Sequence, residues 1–231
     1  MRQMNPVSQR TLERVITDKT VTLEKVKMSE KAQVLSQIYD QNTNISIWQR
    51  QLPSDLEKSI QLHLRSDIKL DIKKVVTAST VESEIKPYLN RWECRDELIL
   101  DVARLVEMFC CLFELRHVGL RLATLDAAMC PRFHVDNVPC RLVTTYSGNG
   151  TEWLAHHEVN RNRLGSGNQG LPDKESGLYP CDASIQTLNV GDVALLKGEM
   201  WLGNEGSGLV HRSPELSFSD QRRLFLSLDF H

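Results

Sequence analysis

Phe133-His134-Val135-Asp136 is the stretch of this 231-residue sequence best equipped for chemistry. In an extended chain the side chains alternate with a period of two, so His134 and Asp136 share one face and can chelate one metal ion. A third donor, His211, stands in Leu209-Val-His-Arg-Ser-Pro214, 211 − 134 = 77 residues later. Two imidazoles and one carboxylate on one side of an ion leave its other positions open, as an iron(II) oxygenase requires for a cosubstrate and O2. Eleven residues after His211 (222 − 211) come Arg222 and Arg223. A guanidinium there can grip a carboxylate through two parallel hydrogen bonds, which suits a dicarboxylate cosubstrate that chelates the same metal.

Such residues need rigid elements to bring them together. Six short strand-like runs follow Gly119, namely residues 120–125, 140–146, 151–154, 192–196, 208–212 and 223–228, each bounded by turn residues. They make residues 117–231 an all-β half, with His211 and the arginine pair on its strands. The insert from Asn160 to Gly177 carries four glycines and no apolar period, and it is expected to be a long surface loop of the kind that often binds ligands. Residues 1–116 read as mostly helical. Leu98, Val102, Leu105, Phe109 and Leu112 recur at helical spacing between Cys94 and Arg116. Leu56, Ile60 and Leu64 form a stripe after Pro53, with Ser54 and Glu57 at capping-box spacing. Ser79 and Glu82 repeat that box before a shorter helix that Pro87 should cut. Ile45 to Gln49 alternates like a half-buried strand, and only a weak helical pattern lies between Ser29 and Tyr39.

The order His-x-Asp, His, Arg resembles the iron(II)/2-oxoglutarate-dependent dioxygenases. That resemblance implies that His134, Asp136 and His211 bind iron(II), and that Arg222, or Arg223 if the register shifts by one, binds the distal carboxylate of 2-oxoglutarate. Tyr146 or Thr144 would add a hydrogen bond to it. It also implies a double-stranded β-helix, so the expected fold is α+β: an N-terminal helical part packed on a jelly-roll, cupin-like C-terminal part in one unit. A closer likeness joins Ile47-Trp-Gln-Arg50, Phe133-His-x-Asp136, Arg141-Leu-Val-Thr-Thr-Tyr146, Gly150-Thr-Glu-Trp-Leu154, Gly191-Asp-Val-Ala-Leu-Leu-Lys-Gly198 and Val210-His-Arg-Ser-Pro214. Together they resemble the bacterial family called domain of unknown function 1826, over roughly residues 40–230. That family has no established reaction, and its members tend to stand in zinc-responsive gene neighbourhoods, which implies metal biology without a substrate.

Two rival readings compete, with blander ones for single residues. Cys130, His134 and Cys140 offer soft ligands for zinc, which would make this a cupin-like zinc-binding protein in metal homeostasis. With no metal at all, the chain would be a β-sandwich or cupin-like protein-interaction domain whose helical half docks a partner, with His134 a core histidine and Arg222–Arg223 a solvated edge pair that discourages aggregation. His156 and His157 point to opposite faces of a strand, so at most one reaches a site, and Trp153 and Trp201 suit a core or a pocket wall.

Composition narrows the remaining classes. Lys and Arg number 28 against 30 Asp and Glu, a formal charge of −2, which supplies no global pull toward nucleic acid or anionic lipid. Leu98 to Leu115 is interrupted by Asp101, Arg104, Glu107 and Glu114 and is no membrane span. The amino terminus lacks the apolar run of a secretory signal. A cytoplasmic protein acting on a small molecule is the expectation. Six irregularly spaced cysteines are too few for a disulfide scaffold, and reduced thiols are expected.

Overall fold

A computed structural model describes residues 25–66, 69–215 and 222–231. It is a mixed helix and sheet structure built from ten strands in two sheets. The strands are β1 (Val26–Ser29), β2 (Ile45–Trp48), β3 (Asp71–Val76), β4 (Val118–Leu125), β5 (Cys140–Ser147), β6 (Glu152–Leu154), β7 (Ile185–Thr187), β8 (Val193–Lys197), β9 (Val210–Arg212) and β10 (Arg223–Phe230). The large sheet runs β1-β2-β8-β5-β10-β4-β3 and the small one β7-β6-β9. All pairings are antiparallel except β1 with β2.

Helices α1 (Ser54–Leu64), α2 (Val81–Ile85) and α3 (Arg95–Phe113) pack with 3-10 turns on one face of the large sheet. The apolar stripe of α3 is buried as its spacing predicts: Leu98, Val102 and Leu105 are fully enclosed. They meet Leu142 of β5 and Leu224, Leu226 and Leu228 of β10 in one core. Neither capping box forms. Ser54 already lies inside the first turn after Pro53, and Thr80, rather than Ser79, precedes α2. Pro87 lies in the first turn of a 3-10 helix, Lys86–Leu89, so α2 ends where its sequence says it must. No described helix is long and apolar enough to cross a membrane.

The sequence before residue 117 supplies three strands to the large sheet, and two of them, β1 and β3, have no clear signal in their residues. Asp71-Ile-Lys-Lys-Val-Val76 carries charge at three of six positions because β3 is the sheet's edge strand. Charges on an edge oppose pairing with another chain, at the expense of the alternation that reveals a strand.

On the other face of the large sheet a second apolar cluster, including Ile45, Ile47, Val143, Leu196 and Phe225, faces the small sheet. The insert between β6 and β7 winds through four 3-10 turns (His156–Glu158, Arg161–Arg163, Gly165–Asn168, Asp182–Ser184). It is packed rather than free: Leu178 is buried with Phe133, Leu154 and Val210. Apolar residues too sparse to show a period still close the outer side of the small sheet.

Candidate metal centre

His134 and His211 face each other across an isolated antiparallel bridge. Each main-chain N–H donates to the other's carbonyl at 3.0 Å, and the rings stand 4.6 Å apart. Their adjacency is therefore set by main-chain pairing, 77 residues apart in sequence. Phe133, immediately before, is anchored by its N–H to the buried Asp173 carboxylate at 2.7 Å. Asp173 comes from the packed insert, so that loop holds the first histidine in place.

The imidazoles are also fixed in rotation. Nδ1 of His134 lies 2.9 Å from the Arg132 carbonyl, and Nδ1 of His211 lies 3.2 Å from the Leu209 carbonyl. A carbonyl only accepts, so each Nδ1 carries the proton and each Nε2 presents its lone pair inward. This is the orientation that outer partners impose on metal-bound histidines. Asp136 completes the set: its Oδ1 is 3.6 Å from His134 Nε2 and its Oδ2 is 3.2 Å from His211 Nε2. The three donor atoms lie within 4.8 Å of one another. Ligands about 2.1 Å from a shared ion and near right angles to one another stand about 3 Å apart, so these separations suit a single ion. The set of two neutral nitrogens and one carboxylate fits iron(II) or a similar divalent ion with positions left open.

Asp136 is held by Arg141, whose Nη1 donates to Oδ2 at 2.7 Å. The same guanidinium grips Asp229 through Nε (2.7 Å) and Nη2 (3.0 Å). Burial pushes the Asp136 carboxyl up, but the adjoining His134 and His211 rings and the charge of Arg141 outweigh it and hold the group well below the usual carboxylate range. The Asp136 partner raises the His134 imidazole, against the opposing effect of burial. Two glycines allow the close approaches involved. A Cβ on Gly198 would lie 2.0 Å from the Val138 carbonyl oxygen and 2.8 Å from that of Asp136, while one on Gly148, at φ +86°, would lie 3.0 Å from the Arg223 Cα.

His134 and His211 open on a cavity of about 720 Å³ whose lining also includes Met129, Val143, Thr151 and Phe225. Arg223 is 1% exposed and stacks over Phe225 at 4.4 Å. Its Nε and Nη2 donate to the Thr145 hydroxyl, and Nη2 also to that of Thr151. No carboxylate of the described residues lies within ion-pairing distance of it. Burial lowers its pKa to about 10, with Glu152 opposing from a distance. A buried guanidinium held only by neutral hydroxyls carries a charge that no described carboxylate balances.

The other predicted residues are placed elsewhere. Arg222 lies just outside β10, bonding Asp126 Oδ1 (2.6 Å) and the Ser66 carbonyl (2.6 Å). Of the two arginines, only Arg223 adjoins the cavity wall. Thr144 and Tyr146 occupy the helix-facing side of β5, because alternation sends Arg141, Val143 and Thr145 to the opposite face, where the first two line the cavity. The Tyr146 hydroxyl donates to Asp101 of α3 at 2.7 Å, and Thr144 is buried beside it. Cys140 is fully buried on that same side and its thiol is pushed up by burial, so the Cys130–His134–Cys140 set does not assemble. Sequence reasoning missed Arg141, Thr145, Thr151, Asp173 and Asp229. Period-two counting back along β5 from Thr145 to Arg141, and forward along β10 from Arg223 to Asp229, was the available signal.

No curated protein matches this chain. Among solved structures it is similar to the Arabidopsis thaliana dioxygenase for auxin oxidation 1 in complex with 2-oxoglutarate (8% identity, 89% of this chain and 91% of that one, TM-score 0.46). It is similar also to a Pseudomonas putida prolyl-4-hydroxylase (13%, 87% and 98%, 0.41) and to HygX from Streptomyces hygroscopicus with nickel and 2-oxoglutarate bound (13%, 87% and 87%, 0.42). Residues 29–229 match the family described as protein of unknown function (DUF1826), and the chain belongs to that family.

Proposed function

We propose that the protein is an iron(II)- and 2-oxoglutarate-dependent oxygenase acting on a small molecule in the cytoplasm, with its two sheets forming a double-stranded β-helix behind an N-terminal helical layer. The observation that carries this reading is the pairing of two features on one cavity. Two Nε2 lone pairs converge with the Asp136 carboxylate, and Arg223 lies buried behind the cavity wall with no acidic partner among the described residues.

His134, His211 and Asp136 would hold the metal. Bound there, iron(II) supplies the reduction of O2 coupled to oxidative decarboxylation of 2-oxoglutarate, which leaves one oxygen atom in succinate and one in the substrate. The chain's own part is positional. The Arg132 and Leu209 carbonyls keep both Nδ1 atoms protonated, and Arg141 keeps Asp136 ionised and in place. Arg223 would bind the distal carboxylate of 2-oxoglutarate, with Thr145 and Thr151 fixing the guanidinium plane. Val143, Phe225 and Met129 supply the apolar wall that limits water at the reacting end.

Anaerobic titration of metal-stripped protein with iron(II) and 2-oxoglutarate is the test. A visible metal-to-ligand charge-transfer band that is lost in His134→Ala and weakened in Arg223→Gln is the expected result. No band in the folded wild-type protein refutes the reading.

A further inference from the structure

The cavity extends well beyond the triad, and its far end carries charge that the triad does not use. Arg141, Asp229, Gly119 and Val75 form one cross-strand row over β5, β10, β4 and β3. Val143, Ser227, Arg121 and Lys73 form the next row, and both rows line the cavity. Gly119 puts no side chain between the triad end and the edge strand, so the two ends are continuous.

Most cations around this space are already neutralised. Arg141 is paired with Asp136 and Asp229, Arg212 with Glu152 at 2.6 Å, and Lys74 with Glu84 at 2.7 Å. Lys73 and Arg121 differ: they share one carboxylate, Asp71, at 3.2 and 3.8 Å. The pair therefore has one positive charge more than its partner. Arg121 Nε, the atom that faces Asp71 at 3.8 Å, makes no hydrogen bond among the described residues, so the guanidinium is not locked to that carboxylate. The buried Ser227 stands directly opposite Arg121.

We propose that this cavity takes an anionic small molecule whose carboxylate or phosphate group binds Lys73 and Arg121, while its reactive carbon lies at the His134–Asp136–His211 end. The assignment of a reactive carbon rests on the oxygenase reading above; the anion site does not. Two strand spacings, about 10 Å, separate the Arg141 strand from the Arg121 strand, so the molecule is an elongated acid with several bonds between its acidic group and the reacting carbon. Arg223 lies four residues (227 − 223) along β10 from Ser227, about 13 Å away, so a cosubstrate carboxylate there does not compete for this site.

The test is titration of the 231-residue chain with sodium acetate and, separately, sodium sulfate, followed by backbone amide NMR. Saturable shifts at Lys73, Arg121 and Ser227 are expected, with affinity reduced about tenfold in Lys73→Gln and in Arg121→Gln. Tighter acetate binding assigns a carboxylate substrate, and tighter sulfate binding a phosphate ester. No saturable shift, or unchanged affinity in both variants, overturns the proposal. Lys73 is an exposed side chain, so Lys73→Gln tests the idea even if Arg121→Gln fails to fold. The iron(II) and 2-oxoglutarate titration separates the two readings. A band without anion binding refutes only the substrate class, and anion binding without a band refutes only the oxygenase.

Discussion

The two faces of the large sheet are made from the same strands but differ in kind, one almost wholly apolar and the other mixing apolar with charged residues. On the helix side, β5 and β10 present Cys140, Leu142, Tyr146, Leu224, Leu226 and Leu228, all sealed beneath α3 and its neighbours. On the cavity side they present Arg141, Thr145, Arg223, Ser227 and Asp229 beside the apolar Val143 and Phe225. One face excludes water and supplies stability. The other spends stability on buried charges that must be paired or else await a ligand. On the helix side one polar chain is closed: Tyr146 donates to Asp101, which is itself gripped by Arg50 at 2.5 and 2.8 Å. A period of two lets a single strand serve both purposes, and a one-residue slip in register would exchange them.

The division predicts separable failures. Leu226→Ala, on the helix side, should lower the free energy of unfolding in urea by about 2–5 kcal/mol while the folded fraction still binds one metal ion. Loss of metal from the folded variant would break the comparison. Arg141→Met, on the cavity side, should do the reverse, weakening metal binding by about 10–100-fold in a competition assay with a smaller change in unfolding midpoint. Tyr146→Phe removes one buried hydrogen bond and should cost about 1 kcal/mol, with the charge-transfer titration unchanged. A lost band would return Tyr146 to the site and erase the distinction between the faces.

The smallest effect concerns pH. His156, beyond the end of β6, is pushed down to about 4, first by burial and then by the charges of Lys25 and Arg161. The unfolded chain takes up a proton near pH 6.5 that the folded protein refuses until about pH 4. Stability should therefore fall as pH drops through that window, and His156→Gln should flatten the profile there without altering it above pH 7. Chemical denaturation at a series of pH values measures both.

How much of this was legible in the residues varied with the range of the interaction involved. The α3 stripe and the strands containing Leu142, Leu195 and Leu226 were readable because burial imposes a local period on apolar residues. His134 and Asp136 were readable because two residues on an extended chain share a face whatever the fold. β3 was not, since an edge strand keeps its charges, and neither was the packed insert, whose few apolar residues reach a core assembled from other segments. Thr144 and Tyr146 were assigned by their chemistry, whereas the face each occupies follows from the phase of β5 relative to the helix layer. That phase is a tertiary quantity.

By itself the sequence determined the donor types, the two-residue spacing of His134 and Asp136, the presence of an arginine at the start of the last strand, and the amphipathic helix that covers the sheet. Tertiary structure alone decided that His211 pairs main chain to main chain with His134, that Arg223 rather than Arg222 adjoins the cavity, and that Arg141 links Asp136 to Asp229. The reason is physical: the first set depends on contacts within a few residues, where local geometry dictates direction. The second depends on strand register between segments up to 88 residues apart, which only the packing of the whole chain selects.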